Sequence, residues 1–126
     1  MRVLGIDLAW GEGNSTKAAN ETGVAALDCD GNVLDAGWTI GLAATADWID
    51  KCAEDDTLLF VDAPLIVDNT TGQRLCETEV GRRYWPWKVS ANTTNLGSRN
   101  LAGVALLQAL VADGWRYDDG RDARHT

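Results

Sequence analysis

Two short apolar runs each carry one carboxylate near their C-terminal end: Asp7 in "VLGIDLAWG" and Asp62 in "TLLFVDAPL". An ionised carboxylate costs several kcal/mol to take out of water unless a cation or hydrogen-bond donors meet it. Each acid therefore needs a partner or a place where its strand ends. If the two runs are neighbouring parallel strands, their backbones lie about 4.8 Å apart. Both acids then face the crevice in which open α/β sheets bind ligands. Carboxylates at that spacing repel, and one titrates upward unless a cation bridges them. Magnesium suits the position, as a hard ion that takes one or two carboxylates and keeps its waters. Alternatively each Asp only serves a turn, and "VDAPL" by itself has turn composition.

A third acid can come from "RLCETEV". Glu77 and Glu79 point different ways on a helix, so one at most reaches the crevice, and either can instead sit on a solvated face. Arg74 and Arg82 are candidates for neutralising the site or contacting a phosphate, joined by Asn92 of "SANTTN" as a further substrate contact.

Other chemistries are poorly supplied. His125 is the only histidine, and Cys29, Cys52 and Cys76 form no C-x-x-C pair, so a Cys/His zinc site is not expected and any metal must be held by oxygen. Reduced, buried thiols are the simpler expectation. "GEGN", Gly11 to Asn14, is short for a phosphate-cradling loop. An opening "GID" strand and hairpin keep open a fragment of an actin- or sugar-kinase-like nucleotide-binding fold, for which "GEGN" is a weak stand-in for the phosphate loop. A net charge of -8 weighs against loose nucleic-acid binding, and an Asp-rich, Lys-poor composition also fits a surface adapted to high salt.

The chain that must position these residues has 126 of them, the size of one domain, and can bury roughly two-thirds of its extended surface. No apolar run approaches the roughly 20 residues that span a bilayer. "MRVLGIDLAW" is no signal peptide, so a cytoplasmic protein without membrane contact is expected. Arg2 to Leu8 reads as a central strand. "TGVAALDCDGNVLDAGWTI" reads as two strands around an Asp-Gly turn. "TADWIDKCAEDD" is a short helix capped by Thr45, with Trp48, Ile49, Cys52 and Ala53 on one face. Thr57 to Leu65 is a strand stopped at Pro64. "GQRLCETEVGRR" is a second short helix. The third, "SRNLAGVALLQALVADG", is expected to bury Leu101, Val104, Leu107 and Val111 and to stop at Gly114. "YWPWK" is either a contact patch or packs its tryptophans, Trp85 and Trp87, over the sheet. Strands bracketing a helix imply a right-handed parallel crossover. The expected fold is α/β with a mixed sheet, an antiparallel hairpin on one side and a parallel pair at the centre.

"GIDLAWG", "VDAPL", "TGQRLCE", "SANTTN" and "LAGVALLQALVADG", in that order, resemble the domain-of-unknown-function 429 family over Met1 to about Gly114. The resemblance implies a predicted nuclease with a ribonuclease-H-like fold, whose carboxylates lie on the first and fourth strands. Asp7 matches the first-strand acid and Asp62 that of "VDAPL"; Glu77 falls where the family carries an acid after "R-x-C". It implies Mg²⁺ or Mn²⁺ held by Asp7, Asp62 and Glu77, phosphodiester hydrolysis, and nucleic acid as partner. The same fold continues with a fifth strand and a helix that "WRYDDGRDARHT" does not resemble. The expectation is a shortened domain, residues 1–114, with 115–126 as a flexible tail in which Asp118, Asp119, Asp122 or His125 stand in for the last ligand. A catalytically inactive binding or assembly module is then the alternative. Without a fifth strand, Leu58 to Val61 is expected to be an uncovered edge, a template for a homodimer or a partner chain.

Overall fold

A computed structural model describes residues 1–11 and 13–121. The elements follow as β1 (Arg2–Asp7), β2 (Glu21–Leu27), β3 (Val33–Ile40), α1 (Leu42–Cys52), β4 (Thr57–Asp62), α2 (Leu75–Tyr84), a 3₁₀ turn (Trp85–Trp87) and α3 (Ala102–Ala112). The strands form one mixed sheet in the order β3-β2-β1-β4. The β1–β2 and β2–β3 pairs are antiparallel and β1–β4 is parallel. The fold is thus α/β with the antiparallel hairpin on one side, as expected; the parallel pair lies at the other side rather than at the centre, because among the described residues no strand continues the sheet past β4. Asp122 and His125 lie outside the described residues, as does Glu12 of the "GEGN" loop.

The hairpin turns through Asp28–Asn32, the "CDGN" stretch Cys29 to Asn32 with Asp28 before it. Asp28 Oδ1 accepts the backbone N–H of Asp30 and of Asn32, each at 2.9 Å, and Gly31 takes a positive φ of 83°. Those hydrogen bonds hold the Asp28 carboxyl below its ordinary range, the Asn32 side chain contributing most.

One face of the sheet is clothed. Leu4, Ile6 and Leu8 of the β1 run, with Val24 and Ala26, pack against Ile49 and Cys52 of α1 and Leu106 and Leu110 of α3. Each fully buried Leu or Ile contributes about 1.5–3 kcal/mol. On the opposite face β1 and β4 alternate to Val3, Gly5, Asp7 and Leu58, Phe60, Asp62, away from the core that α1 and α3 cover. Leu58, Phe60 and Trp38 are exposed there.

Two helix expectations are corrected. α1 begins at Leu42 after Gly41, so Thr45 is no cap. It is fully buried and its hydroxyl binds the Thr39 hydroxyl at 2.7 Å and the Gly41 carbonyl at 3.0 Å. α3 buries Gly103, Leu106 and Leu110, while Val111 is exposed. Its apolar residues run almost all round, so spacing alone could not choose the face. The contact that chooses it is at Gly103, where an added Cβ would lie 2.3 Å from the Pro64 carbonyl oxygen. Gly114 ends the run at φ 95°, and Trp115 beyond it packs against the core. Among the described residues no helix is long and apolar enough to cross a membrane.

Candidate functional site

A cleft of about 970 Å³ opens at the C-terminal ends of β1 and β4. One wall is the two strand ends, with Asp7 and Asp62; the other is the start of α2 and the 91–94 segment, with Arg74, Glu77, Asn92 and Thr94. Asp118 and Asp119 border it as well.

Asp7 and Asp62 are register partners in the parallel ladder. Their Cα atoms sit on adjacent strands about 4.8 Å apart and their side chains share a face. Three local devices hold them there. The Ala9 N–H donates to the buried Thr22 hydroxyl at 3.0 Å, fixing the chain where β1 ends. Gly23, across from Asp7 on β2, puts no side chain over the carboxylate. Beyond Asp62, the Ala63–Pro64 backbone is seated against Gly103. Both carboxylates are exposed, and among the described residues neither forms a hydrogen bond or an ion pair. Two adjacent, unneutralised oxygen donors fit a hard dication that needs only one or two carboxylates. Among the described residues, no three His, Cys, Asp or Glu side chains gather into a group able to hold a metal. Glu21, at the start of β2, lines the cleft beside the pair.

Glu77 is differently placed. It is 3% exposed and both oxygens are engaged: Oε2 accepts the backbone N–H of Arg74 at 2.9 Å and of Thr94 at 3.0 Å, and Oε1 accepts Arg74 Nε at 2.9 Å. It thereby closes a capping box at the start of α2 and ties that helix to the 91–95 segment. Burial pushes its carboxyl up, but the backbone donors of Thr94 and Arg74 and the Arg74 guanidinium outweigh this and leave it below the ordinary range. The asparagines of this wall knit it further. Asn69 Nδ2 donates to the Thr94 carbonyl at 3.0 Å and to that of Gly72 at 3.1 Å, and Asn95 Nδ2 to Gly72 at 3.1 Å.

The expected residues thus separate. Asp7, Asp62, Arg74, Glu77 and Asn92 share the cleft. Arg82 does not line it; it is exposed and pairs with Glu79 at 3.2 Å. Asp118 and Asp119 are turned into local bends, accepting the Gly120 N–H at 2.8 Å and the Arg121 N–H at 3.0 Å. Asn14, the last residue of "GEGN", closes a turn with the residues after it, its Oδ1 accepting the Thr16 and Lys17 N–H groups at 2.9 Å each. Trp85 and Trp87 do not pack over the sheet; they are 72% and 70% exposed. Cys52 alone of the thiols is buried, and burial, then the nearby Asp35 charge, pushes it up. Thr94 and Gly103 were not singled out from the sequence. The only signal for Gly103 was a glycine in the first turn of an otherwise strong helix. Comparison with family models, curated proteins and solved structures finds no match to the chain.

Proposed function

We propose that the chain is a ribonuclease-H-like, metal-dependent nuclease in which Asp7 and Asp62 hold Mg²⁺ or Mn²⁺. The observation that supports this reading is the pairing of two exposed, uncompensated carboxylates in register at the mouth of a cleft. When bound, such an ion polarises a phosphoryl oxygen and lowers the pKa of a coordinated water. The chain's own contribution is positional. The strand ends set the separation of the two ligands, and Glu77 keeps Arg74 on the far wall, where a guanidinium can meet a phosphate. Asn92 lies on that wall as a neutral contact. Glu77, its oxygens already spent, acts as a positioning residue rather than as a ligand.

The test is Mg²⁺- or Mn²⁺-dependent cleavage of oligonucleotides, read beside calorimetric metal binding. Asp7→Asn or Asp62→Asn is expected to reduce cleavage on the order of 10³-fold, several kcal/mol of lost charge stabilisation, and to weaken metal binding without lowering the melting temperature. Cleavage that survives either change rejects the assignment.

A second reading, a binding or assembly module, is favoured by one observation: β4 is an edge strand with Phe60 62% exposed. Such a strand is a template for a second copy or a partner chain at Leu58–Val61. A salt-insensitive monomer at micromolar concentration in sedimentation velocity rules out the second copy and counts against the reading.

A further inference from the structure

The chain is strongly acidic, yet its charge is not evenly spread. From Val80 to Ala112 there is no Asp or Glu, while Arg82, Arg83, Lys88 and Arg99 all fall there. Three of these cations flank the exposed aromatics at the end of α2. Arg82 and Arg83 share Glu79, at 3.2 and 3.5 Å. Tyr84, Trp85 and Trp87 follow, all exposed, and then Lys88, held in a left-handed conformation at φ 57° after which the Val89 N–H donates back to the Tyr84 carbonyl at 3.3 Å. Tyr84 and Trp87 stand with ring centroids 6.4 Å apart and planes tilted by 52°. Glu79 offsets one of the three positive charges, and the helix C-terminus about half of another. A local excess of more than one charge remains beside three uncovered rings.

Packing does not explain this surface. Two tryptophans about 70% exposed give up most of the burial that makes the residue useful in a core, and exposed patches of this kind mark binding sites. The excess positive charge selects a polyanion, and the flat rings select one with stackable faces. Nucleic-acid bases on a phosphate backbone supply both, and only unpaired bases offer their faces to a side chain.

We infer that the Arg82–Lys88 surface is a stacking platform for single-stranded nucleic acid, which feeds one strand toward the cleft. The inference builds on the nuclease reading in taking the cleft as that strand's destination. The distances suit it. α2 has 10 residues and is about 15 Å long, so a strand stacked at about 3.4 Å per nucleotide covers it in roughly five. Asn92, four residues after Lys88, already lines the cleft. The acidic strand ends repel a backbone approaching from elsewhere, which gives the cationic wall the task of admitting it.

The test is fluorescence anisotropy of an end-labelled 20-mer, single-stranded or as a duplex, on the whole chain in EDTA and low salt. The single strand is expected to bind tighter than the duplex. Trp85→Ala with Trp87→Ala is expected to weaken single-strand binding at least 10-fold, since each stacked base is worth about 1–3 kcal/mol. Arg82→Gln, Arg83→Gln and Lys88→Gln together should reduce the salt slope by about 2, at about 0.7 per phosphate contact. Equal or tighter duplex binding, or an unchanged affinity in the tryptophan variant with its circular dichroism intact, overturns the inference. So does binding to vesicles of phosphatidylcholine and phosphatidylserine with none to the oligonucleotide. Because binding is read in EDTA it does not depend on metal, so intact binding with no cleavage once Mg²⁺ or Mn²⁺ is supplied defeats only the nuclease reading. Cleavage that persists in a variant unable to bind through the platform defeats only the platform.

Discussion

The two walls of the cleft treat carboxylates in opposite ways. On the strand-end wall, Asp7 and Asp62 lie side by side in the ladder, exposed, and form no hydrogen bond or ion pair among the described residues. On the helix wall, Glu77 is buried and accepts three hydrogen bonds, one from a guanidinium. The first arrangement leaves two carboxylates with no protein donor among the described residues, which is what the proposed cation would use. The second has already been neutralised by the protein. A carboxylate's place in a cleft therefore says little about its task until its oxygens are accounted for.

The contrast is open to direct attack. The largest expected effect is at Glu77. Glu77→Ala strands the Arg74 and Thr94 N–H groups and a partly buried guanidinium, and should cost about 3 kcal/mol in urea unfolding; a cost below about 1 kcal/mol would make the helix wall no more committed than the strand ends. The same residue sets an acid dependence. Its folded pKa lies below the unfolded value, so its contribution is complete above the ordinary carboxylate range and is lost as pH falls through the depressed folded value. Stability of the wild type should fall across that acid window more steeply than that of Glu77→Gln. Parallel curves would show that the hydrogen bonds are not what hold the wall.

A smaller effect sharpens the other side. Gly103→Ala drives a methyl into the Pro64 carbonyl and should cost about 2 kcal/mol, the range for overpacking a filled site. Because that backbone directly follows Asp62, metal affinity should drop along with stability. A variant that loses stability but binds metal as the wild type does would detach α3 from the positioning of the acid.

Much of this was legible beforehand, for reasons that differ by element. β1 and β4 announce themselves by apolar runs ending in an acid, and the helix before β4 makes them parallel, so order allows Asp7 and Asp62 to be neighbours; their exact register is seen only in the ladder. The hairpin is carried by local turn chemistry at Asp28 to Gly31. Glu77 and Arg74 could be placed near the cleft but not assigned a task, because the donors that engage Glu77 include the backbone of Thr94, distant in sequence. The buried face of α3 was misjudged for a related reason. An all-round apolar helix has no preferred stripe, and the close approach of Gly103 to Pro64 that decides it is a tertiary contact.

The bare side of the sheet has a calorimetric consequence. Trp38, Leu58 and Phe60 are already wetted in the native chain, so melting brings little fresh hydrocarbon into water from that side. The heat-capacity increment on unfolding should therefore fall short of the roughly 12–15 cal/mol/K per residue typical of globular chains, flattening the stability curve. Whatever settles on that side would restore the missing curvature.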